Sequence, residues 1–297
     1  MAARNIALVT GRRVLVLAAA ALIVAGCSFT RLAYMSAGLA YSNATPMAVW
    51  WVDDFVDLRG EQREWVRLRI AAAHDWHRAQ ELPEYRRWLE TILDYAEDGI
   101  SVEEAASAYR EIRSRYHRLL AHMAPDIADF LLQLDAAQVT QLERKFSEDE
   151  TRMVKDSVKG TAEERRARRV RTYLEHLEEW TGELTEAQRS LVAARVRTIP
   201  ELFEERLAER RYRTGETLAL LRAHPSHAEM TAAVRRLLAE TDTWRRPEYA
   251  AKQQAREQAL FEMIAALSAT LGADQRAHLR ARVKGYVRDI SELTAAS

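Results

Sequence analysis

Helix-start signals recur along this chain at short intervals, and they leave little room for anything but helix. Ser101-Val-Glu-Glu104 follows Gly99 and reads as a capping box, in which the Ser hydroxyl accepts from a free backbone N–H and the Glu reaches back to the cap. Thr161-Ala-Glu-Glu164 repeats this after Gly160, and Ser147-Glu-Asp-Glu150 and Ser226-His-Ala-Glu229 share the spacing. Pro83, Pro125, Pro200 and Pro247 suit first-turn positions, where the missing N–H is harmless. Between these marks apolar residues fall at helical spacing: Leu260, Ile264, Leu267 and Leu271 form one stripe, with Phe261 beside it. Nothing alternates with period two, and six Pro and ten Gly in 297 residues are too few for the turns of an all-β chain. The pattern predicts an all-α, multi-helix bundle of about a dozen helices joined by short turns.

The chain also repeats itself. Leu58-Arg-Gly-Glu-Gln62-Arg63 matches Leu184-Thr-Glu-Ala-Gln188-Arg189 at an offset of 126, and Ser101 to Ser107 lies over His227 to Ala233 at the same offset. Leu134-Asp-Ala-Ala-Gln138 matches Leu271-Gly-Ala-Asp-Gln275 at 137. The 11 extra residues fall near Thr241 to Lys252, around Trp244 and Pro247. Two halves, each opening and closing on Leu-x-x-x-Gln, suggest an internal duplication. The expected division is a first helical half over residues 46–160 and a second over 161–297, related and packed together. Each Leu-x-x-x-Gln reads as a helix start. In the Leu184 copy Thr185 is the N-cap, Gln188 completes a capping box, and Leu184 pins the entry from outside the helix. Asp135 does the same before Gln138, whereas Arg59 and Gly272 are poorer caps.

The N-terminus carries Arg4, Arg12 and Arg13, then an apolar run of 11 residues from Val14 to Val24, then Ala25-Gly26-Cys27. A positive head, a short apolar body and small residues describe a secretory signal, and the run is too short to span a bilayer. Its ending resembles the lipobox of bacterial lipoproteins. That resemblance implies residues 1–26 as a signal peptide, cleavage before Cys27, lipid (palmitate included) on Cys27, and a tether over 27–45. Ser28 follows the cysteine where Asp would mark inner-membrane retention in many enteric bacteria, so the expectation is an outer-membrane lipoprotein facing the periplasm. Cys27 is the only cysteine, so no internal disulfide is available and the core must hold the fold together. At 48% hydrophobic residues and seven Trp it can do so. The chain balances 44 basic against 44 acidic residues, and loss of the three signal arginines leaves 41 against 44. Such a chain is no general nucleic-acid binder.

Four groups of residues are candidates for chemistry. Trp50-Trp51-Val-Asp53-Asp54-Phe-Val-Asp57 is the candidate interaction patch: on a helix Trp50, Asp54 and Asp57 share a face, and Asp53 neighbours Asp57. The competing reading has the tryptophans in the core and the aspartates capping helices or meeting arginines, as aromatic clusters mostly do. His74 and His77 have a helical metal-ligand spacing but no companion ligands, so no metal is expected. Arg165, Arg166, Arg168, Arg169 and Arg171 are the densest basic run. They form either a solvated helix face paired with the flanking Glu163, Glu164, Glu175, Glu178 and Glu179, or a patch for anionic lipid, lipopolysaccharide or an acidic client segment. The helix-start motif Leu184, Thr185 and Gln188 is the fourth.

Two resemblances go further. Leu184-Thr185-x-x-Gln188 resembles the motif of Spy- and CpxP-like periplasmic proteins, which are all-helical chaperones or stress adaptors; the other three copies lack the Thr, and only the helix-start role is carried over. Cys27-Ser-Phe-Thr-Arg-Leu-Ala-Tyr34, followed by the Trp50–Leu58 block, resembles an uncharacterised family of proteobacterial lipoproteins with a helical body. Signatures of hydrolases, phosphate-binding loops and zinc proteases are missing, as is the Glu-Ser dipeptide of helical peptidoglycan lyases. The expectation is a protein that is not an enzyme, carries no cofactor, sits at the membrane through Cys27 and binds an envelope protein or an unfolded client. A structural or assembly adaptor is the alternative, and an unrecognised hydrolase the third reading.

Overall fold

In the computed structural model the described residues are 41 and 43–295; the signal segment and Cys27 lie outside them. Eleven α-helical segments and no strand occur among the described residues, which is the expected all-α architecture. They are α1 (Ala44–Val56), α2 (Gln62–Trp76), α3 (Leu82–Asp98), α4 (Val102–Leu132), α5 (Ala136–Val158), α6 (Ala162–Thr181), α7 (Glu186–Thr198), α8 (Phe203–Ala223), α9 (His227–Leu238), α10 (Pro247–Ser268) and α11 (Ala273–Ala295). A five-residue π segment, His77–Glu81, joins α2 to α3, and a 3-10 turn, Thr241–Thr243, follows α9.

The starts follow the caps. Thr161, Thr185 and Ser226 accept from the backbone N–H three residues on while Glu164, Gln188 and Glu229 reach back, and Ser101 and Glu104 do the same before α4. Pro83 and Pro247 stand in first turns. Three expectations need correction. Ser147 lies in the interior of α5, where the buried stripe Gln138, Leu142 and Phe146 carries the helix past it. Pro125 lies inside the 31-residue α4, where Leu120, Ala124, Ala128 and Leu131 form one buried face. Continuity of that face outweighs the hydrogen bond the proline removes. Pro200 sits in the connection between α7 and α8.

The two halves run through parallel successions. A helix leads into a Leu-x-x-x-Gln start in each: α1 into α2, and α6 into α7. Then α3 answers to α8, and α5 to α11. The 31 residues of α4 answer to residues 227–268, a span of 42, and the difference of 11 is the surplus read from the sequence. It breaks one long helix into α9, the 3-10 turn and α10. Trp244 anchors the break, its indole N–H donating to the Arg236 carbonyl (2.8 Å) and its ring lying 5.0 Å from that of Tyr212.

The chain forms two compact units that do not follow the halves. Among the described residues, the first unit comprises those up to Ala79, Tyr116–Met153 and Glu204–Arg245. The second comprises Gln80–Arg115, Val154–Phe203 and the described residues from Arg246 on. Shifted by 126, residues 80–115 become 206–241, close to 204–245. Each half therefore contributes its ends to one unit and its middle to the other.

The core of the first unit joins Trp51, Phe55 and Val56 of α1 and Val66 of α2 to Leu120, Ala124, Leu142 and Phe146, and these to Leu218, Leu221, Met230 and Val234. In the second unit Leu184, Val192, Val196 and Ile199 pack with Met263, Leu267 and Leu271, and a further cluster packs Leu89 against Leu279 and Val283. A buried ion pair joins the two ends of each exchanged segment. Arg115 faces Glu81 (3.5 Å) and Glu84 (3.7 Å) and also pairs with Glu111, while Arg245 donates to Glu209 (2.7 Å).

Candidate functional site

The four Leu-x-x-x-Gln starts meet in pairs, and this is the most ordered polar arrangement in either unit. In the first unit the Gln62 and Gln138 amides exchange hydrogen bonds: Gln138 Nε2 donates to Gln62 Oε1 (2.7 Å) and Gln62 Nε2 to Gln138 Oε1 (3.2 Å). In the second unit Gln188 and Gln275 do the same, both at 2.9 Å. Each amide also donates to the carbonyl five residues before its partner glutamine: Gln62 to Gln133, Gln138 to Asp57, Gln188 to Thr270 and Gln275 to Glu183. Each Oε1 accepts the backbone N–H of the residue three positions before it, Arg59, Asp135, Thr185 or Gly272; Arg59 is not the expected cap, since the N-cap of α2 is Glu61. Leu58, Leu134, Leu184 and Leu271 are all buried beside them. A primary amide suits this place because it offers two donors and an acceptor without charge. Arg189 and Arg276 each add a bond from Nε to the carbonyl of their motif leucine, both at 3.2 Å.

The Trp50–Asp57 block feeds this arrangement. Trp51 is 6% exposed and packs at a tilt against Phe55 in the core, their ring centroids 4.4 Å apart, while Trp50 is 46% exposed. Asp53 Oδ1 accepts the Leu58 N–H (3.0 Å) and pairs with Arg63 (2.7 Å). Glu178 in the second unit does the same for the Leu184 N–H (3.2 Å) and Arg189 (2.5 Å). Asp53 thus orients the entry into α2. Asp54 pairs with Lys145 (2.8 Å). Asp57 is outside the helix, in the left-handed region at φ 54°, so it leaves the face that Trp50 and Asp54 share.

His74 and His77 meet Tyr41: the His74 Nε2 lies 3.1 Å from the Tyr41 carbonyl, and the Tyr41 hydroxyl 3.1 Å from His77 Nδ1. Burial, and then the Arg78 charge, hold the His74 imidazole below its ordinary range. Among the described residues no group of three or more His, Cys, Asp or Glu converges so as to hold a metal. Within the arginine run, Arg165 donates to the Gly160 carbonyl, Arg168 to that of Lys159, and Arg169 to that of Ile199 while pairing with Glu201. Arg171 lies 4.0 Å from Glu175. Two tyrosines stand apart. Burial pushes Tyr109 up to about 12, with Glu257 adding to it through a 2.9 Å hydrogen bond, and burial pushes Tyr116 up to about 12 against the opposing Arg213 charge.

Among the described residues, an open trough lies on α11. Ala273, Ala277 and Ala281, one turn apart, form its floor, and Arg276, Arg280 and Lys284 its rim, with Glu97 opposite. Glu97 fixes the rim: its carbonyl accepts from Arg276 (2.8 Å) and its carboxylate from Arg280 (2.5 Å). Sequence reasoning placed every glutamine of the paired starts in a first turn but did not foresee that they face each other. The one available signal was that each half holds two copies. It missed the buried Arg115 and Glu81 and the α11 trough, because a basic stripe at spacing four is indistinguishable in sequence from any solvated helix face.

Fold and polar architecture define a class: an all-helical protein pinned by paired glutamine helix starts. The chain belongs to a family of unknown function, DUF6279, whose model matches residues 54–250. This agrees with the resemblance of the N-terminal block to an uncharacterised family. No curated protein and no solved structure matches the chain. No helix among the described residues is long and apolar enough to cross a membrane.

Proposed function

We propose that this protein is a non-catalytic, lipid-tethered body of the cell envelope that binds another macromolecule. On this reading Cys27 carries the lipid, the body faces the periplasm from the outer membrane, and the α11 trough takes an acidic stretch of an envelope protein or unfolded client. The observation that carries the reading is the trough itself. A floor of three alanines lets another backbone approach closely, and its open form suits a chain better than a small molecule. Guanidinium groups recognise carboxylates with directional bonds, and Arg276 and Arg280 are already oriented by Glu97, so little side-chain entropy is lost on binding. Lys284 stands exposed beside them.

The test is site-specific photo-crosslinking in intact cells. A photoreactive residue at Ala277 should give a discrete adduct that Lys284→Glu diminishes, and one at the exposed Ala136 should not. Equal labelling from both positions, or none from Ala277, overturns the assignment of the trough. The tether is tested separately: Cys27→Ala should abolish palmitate labelling and release the protein from the membrane fraction. A variant that still fractionates with membranes and carries label as the wild type does overturns the lipoprotein reading.

A further inference from the structure

The turn between α5 and α6 concentrates positive charge around an exposed apolar residue. From Lys155 to Arg171 the chain carries seven basic and three acidic residues, a net of +4 in a chain whose total is zero. Val158 is 62% exposed, more than Trp50, Leu68, Leu132 or Tyr212. Lys155, Lys159, Arg165 and Arg166 are exposed around it, and among the described residues the side chains of Lys155, Lys159 and Arg166 make no ion pair. Arg165 and Arg168 fold back so that Nη1 of the first donates to the Gly160 carbonyl (2.7 Å) and Nη2 of the second to the Lys159 carbonyl (2.6 Å). That holds two further cations at the turn. Of the acids, Glu164 is committed to the Thr161 cap. Gly160 makes the turn at φ 83°, a conformation that residues with a Cβ rarely adopt.

We infer that the α5–α6 turn docks on the phosphate-bearing face of an anionic bilayer, with Val158 entering the headgroup layer and the surrounding Lys and Arg reaching the phosphates. An acidic polypeptide would satisfy the cations but leave the Val158 side chain in water. A bilayer surface takes both: its interface accepts the apolar group, and the long basic side chains reach out to the headgroups. A cation held near an anionic membrane contributes roughly a fivefold gain in partitioning. The inference does not depend on the α11 trough.

The experiment is co-flotation of the full-length chain carrying Cys27→Ala with vesicles of neutral phosphatidylcholine or of phosphatidylcholine mixed with phosphatidylglycerol. Binding to the mixed vesicles should exceed binding to the neutral ones and weaken with salt. Lys155→Glu with Lys159→Glu should lower that excess by about 25-fold or more, from two cations at about fivefold each. Val158→Asp should lower it several-fold. The charge-matched pair Lys284→Glu with Arg288→Glu on α11 should change it far less, and far-UV circular dichroism should show all variants folded. Equal losses from both charge pairs would mean bulk electrostatics and overturn the assignment. So would binding indifferent to the turn variants, displacement by millimolar inorganic phosphate, or turn-dependent binding of polyglutamate without binding of vesicles. Failure of the trough reading would show instead at Ala277 crosslinking and leave these outcomes untouched.

Discussion

Removing the Gln138 side chain tests whether the paired amides hold the first unit together. Gln138 is 1% exposed and engaged in four directions: it donates to Asp57 O (3.1 Å) and Gln62 Oε1 (2.7 Å), and accepts from Asp135 N (3.2 Å) and Gln62 Nε2 (3.2 Å). A net hydrogen bond contributes about 1 kcal/mol, and a buried group left without a partner costs about 1–3 kcal/mol. In Gln138→Ala the half-buried Gln62 amide turns to water, whereas the Asp57 carbonyl and Asp135 N–H are left facing a gap. The expected loss is about 2–4 kcal/mol, against about 1–2 kcal/mol for Gln62→Ala. Because the two side chains share their bonds, the double variant should lose less than the sum by about 1 kcal/mol. Gln138→Glu should be worse than Ala near neutral pH, since the carboxylate oxygen in the place of Nε2 would face two carbonyl oxygens with no donor. Urea unfolding followed by tryptophan fluorescence reads the right place. Trp50, Trp51, Trp65, Trp76 and Trp244 belong to the first unit, and only Trp88 and Trp180 to the second. Strict additivity of the two single losses, or a Gln138→Ala cost within about 0.5 kcal/mol of zero, would refute the argument.

Other expectations follow from the same geometry. Thr185→Ala removes an N-cap bond and should cost about 0.5–2 kcal/mol in denaturant unfolding. Arg115→Leu removes one charged partner of the buried Glu81 carboxylate and should cost about 3–5 kcal/mol, much of it recovered in Arg115→Leu with Glu81→Leu; a second change that recovers nothing would show the pair is not the cause. Tyr109 and Tyr116 favour the neutral form in the folded state, so their contribution is complete below the ordinary tyrosine range and is lost as pH rises from 10 toward about 12; spectrophotometric titration at 295 nm should find two late-ionising phenols that Tyr109→Phe and Tyr116→Phe remove one at a time. His74 is shifted the other way, its neutral form favoured, so its contribution is present above 6.5 and lost as pH falls through its lowered value; imidazole NMR should find it titrating below 6.5, and a His74 titrating at or above 6.5 contradicts its burial.

Local chemistry was legible where one residue determines it. Thr161, Thr185 and Ser226 cap helices because a side-chain oxygen can serve a free N–H only there, and the 11-residue surplus surfaced as the break around Trp244. The same spacing misled at Ser147, because Leu142 and Phe146 continue a buried stripe through it, and at Pro125, because Ala124 and Ala128 pack on both sides. A cap signal is local; whether the helix stops is decided by what its face packs against. Asp53 shows the other limit. Read with its neighbours it looks like part of an acidic surface, yet its partners are the Leu58 N–H and Arg63, and nothing in the spacing of charges distinguishes orientation of a turn from display. The meeting of Gln62 with Gln138, 76 residues apart, is a tertiary fact invisible to any local window.

The division of each unit among three separate stretches governs the order in which the protein can be made. A chain emerges from its N-terminus, and the first unit lacks its third stretch until Arg245 has appeared. Until then Val66, Leu120 and Ala124 wait for Leu218, Leu221, Met230 and Val234, and the glutamine pair of the second unit waits for Gln275. Contacts so distant in sequence slow folding and prolong the exposure of apolar faces. The first unit is therefore completed only by its third stretch, and the second later still. A nascent chain arrested at Pro200 should remain open to protease along α2 and α4, while one arrested beyond Arg245 should protect them.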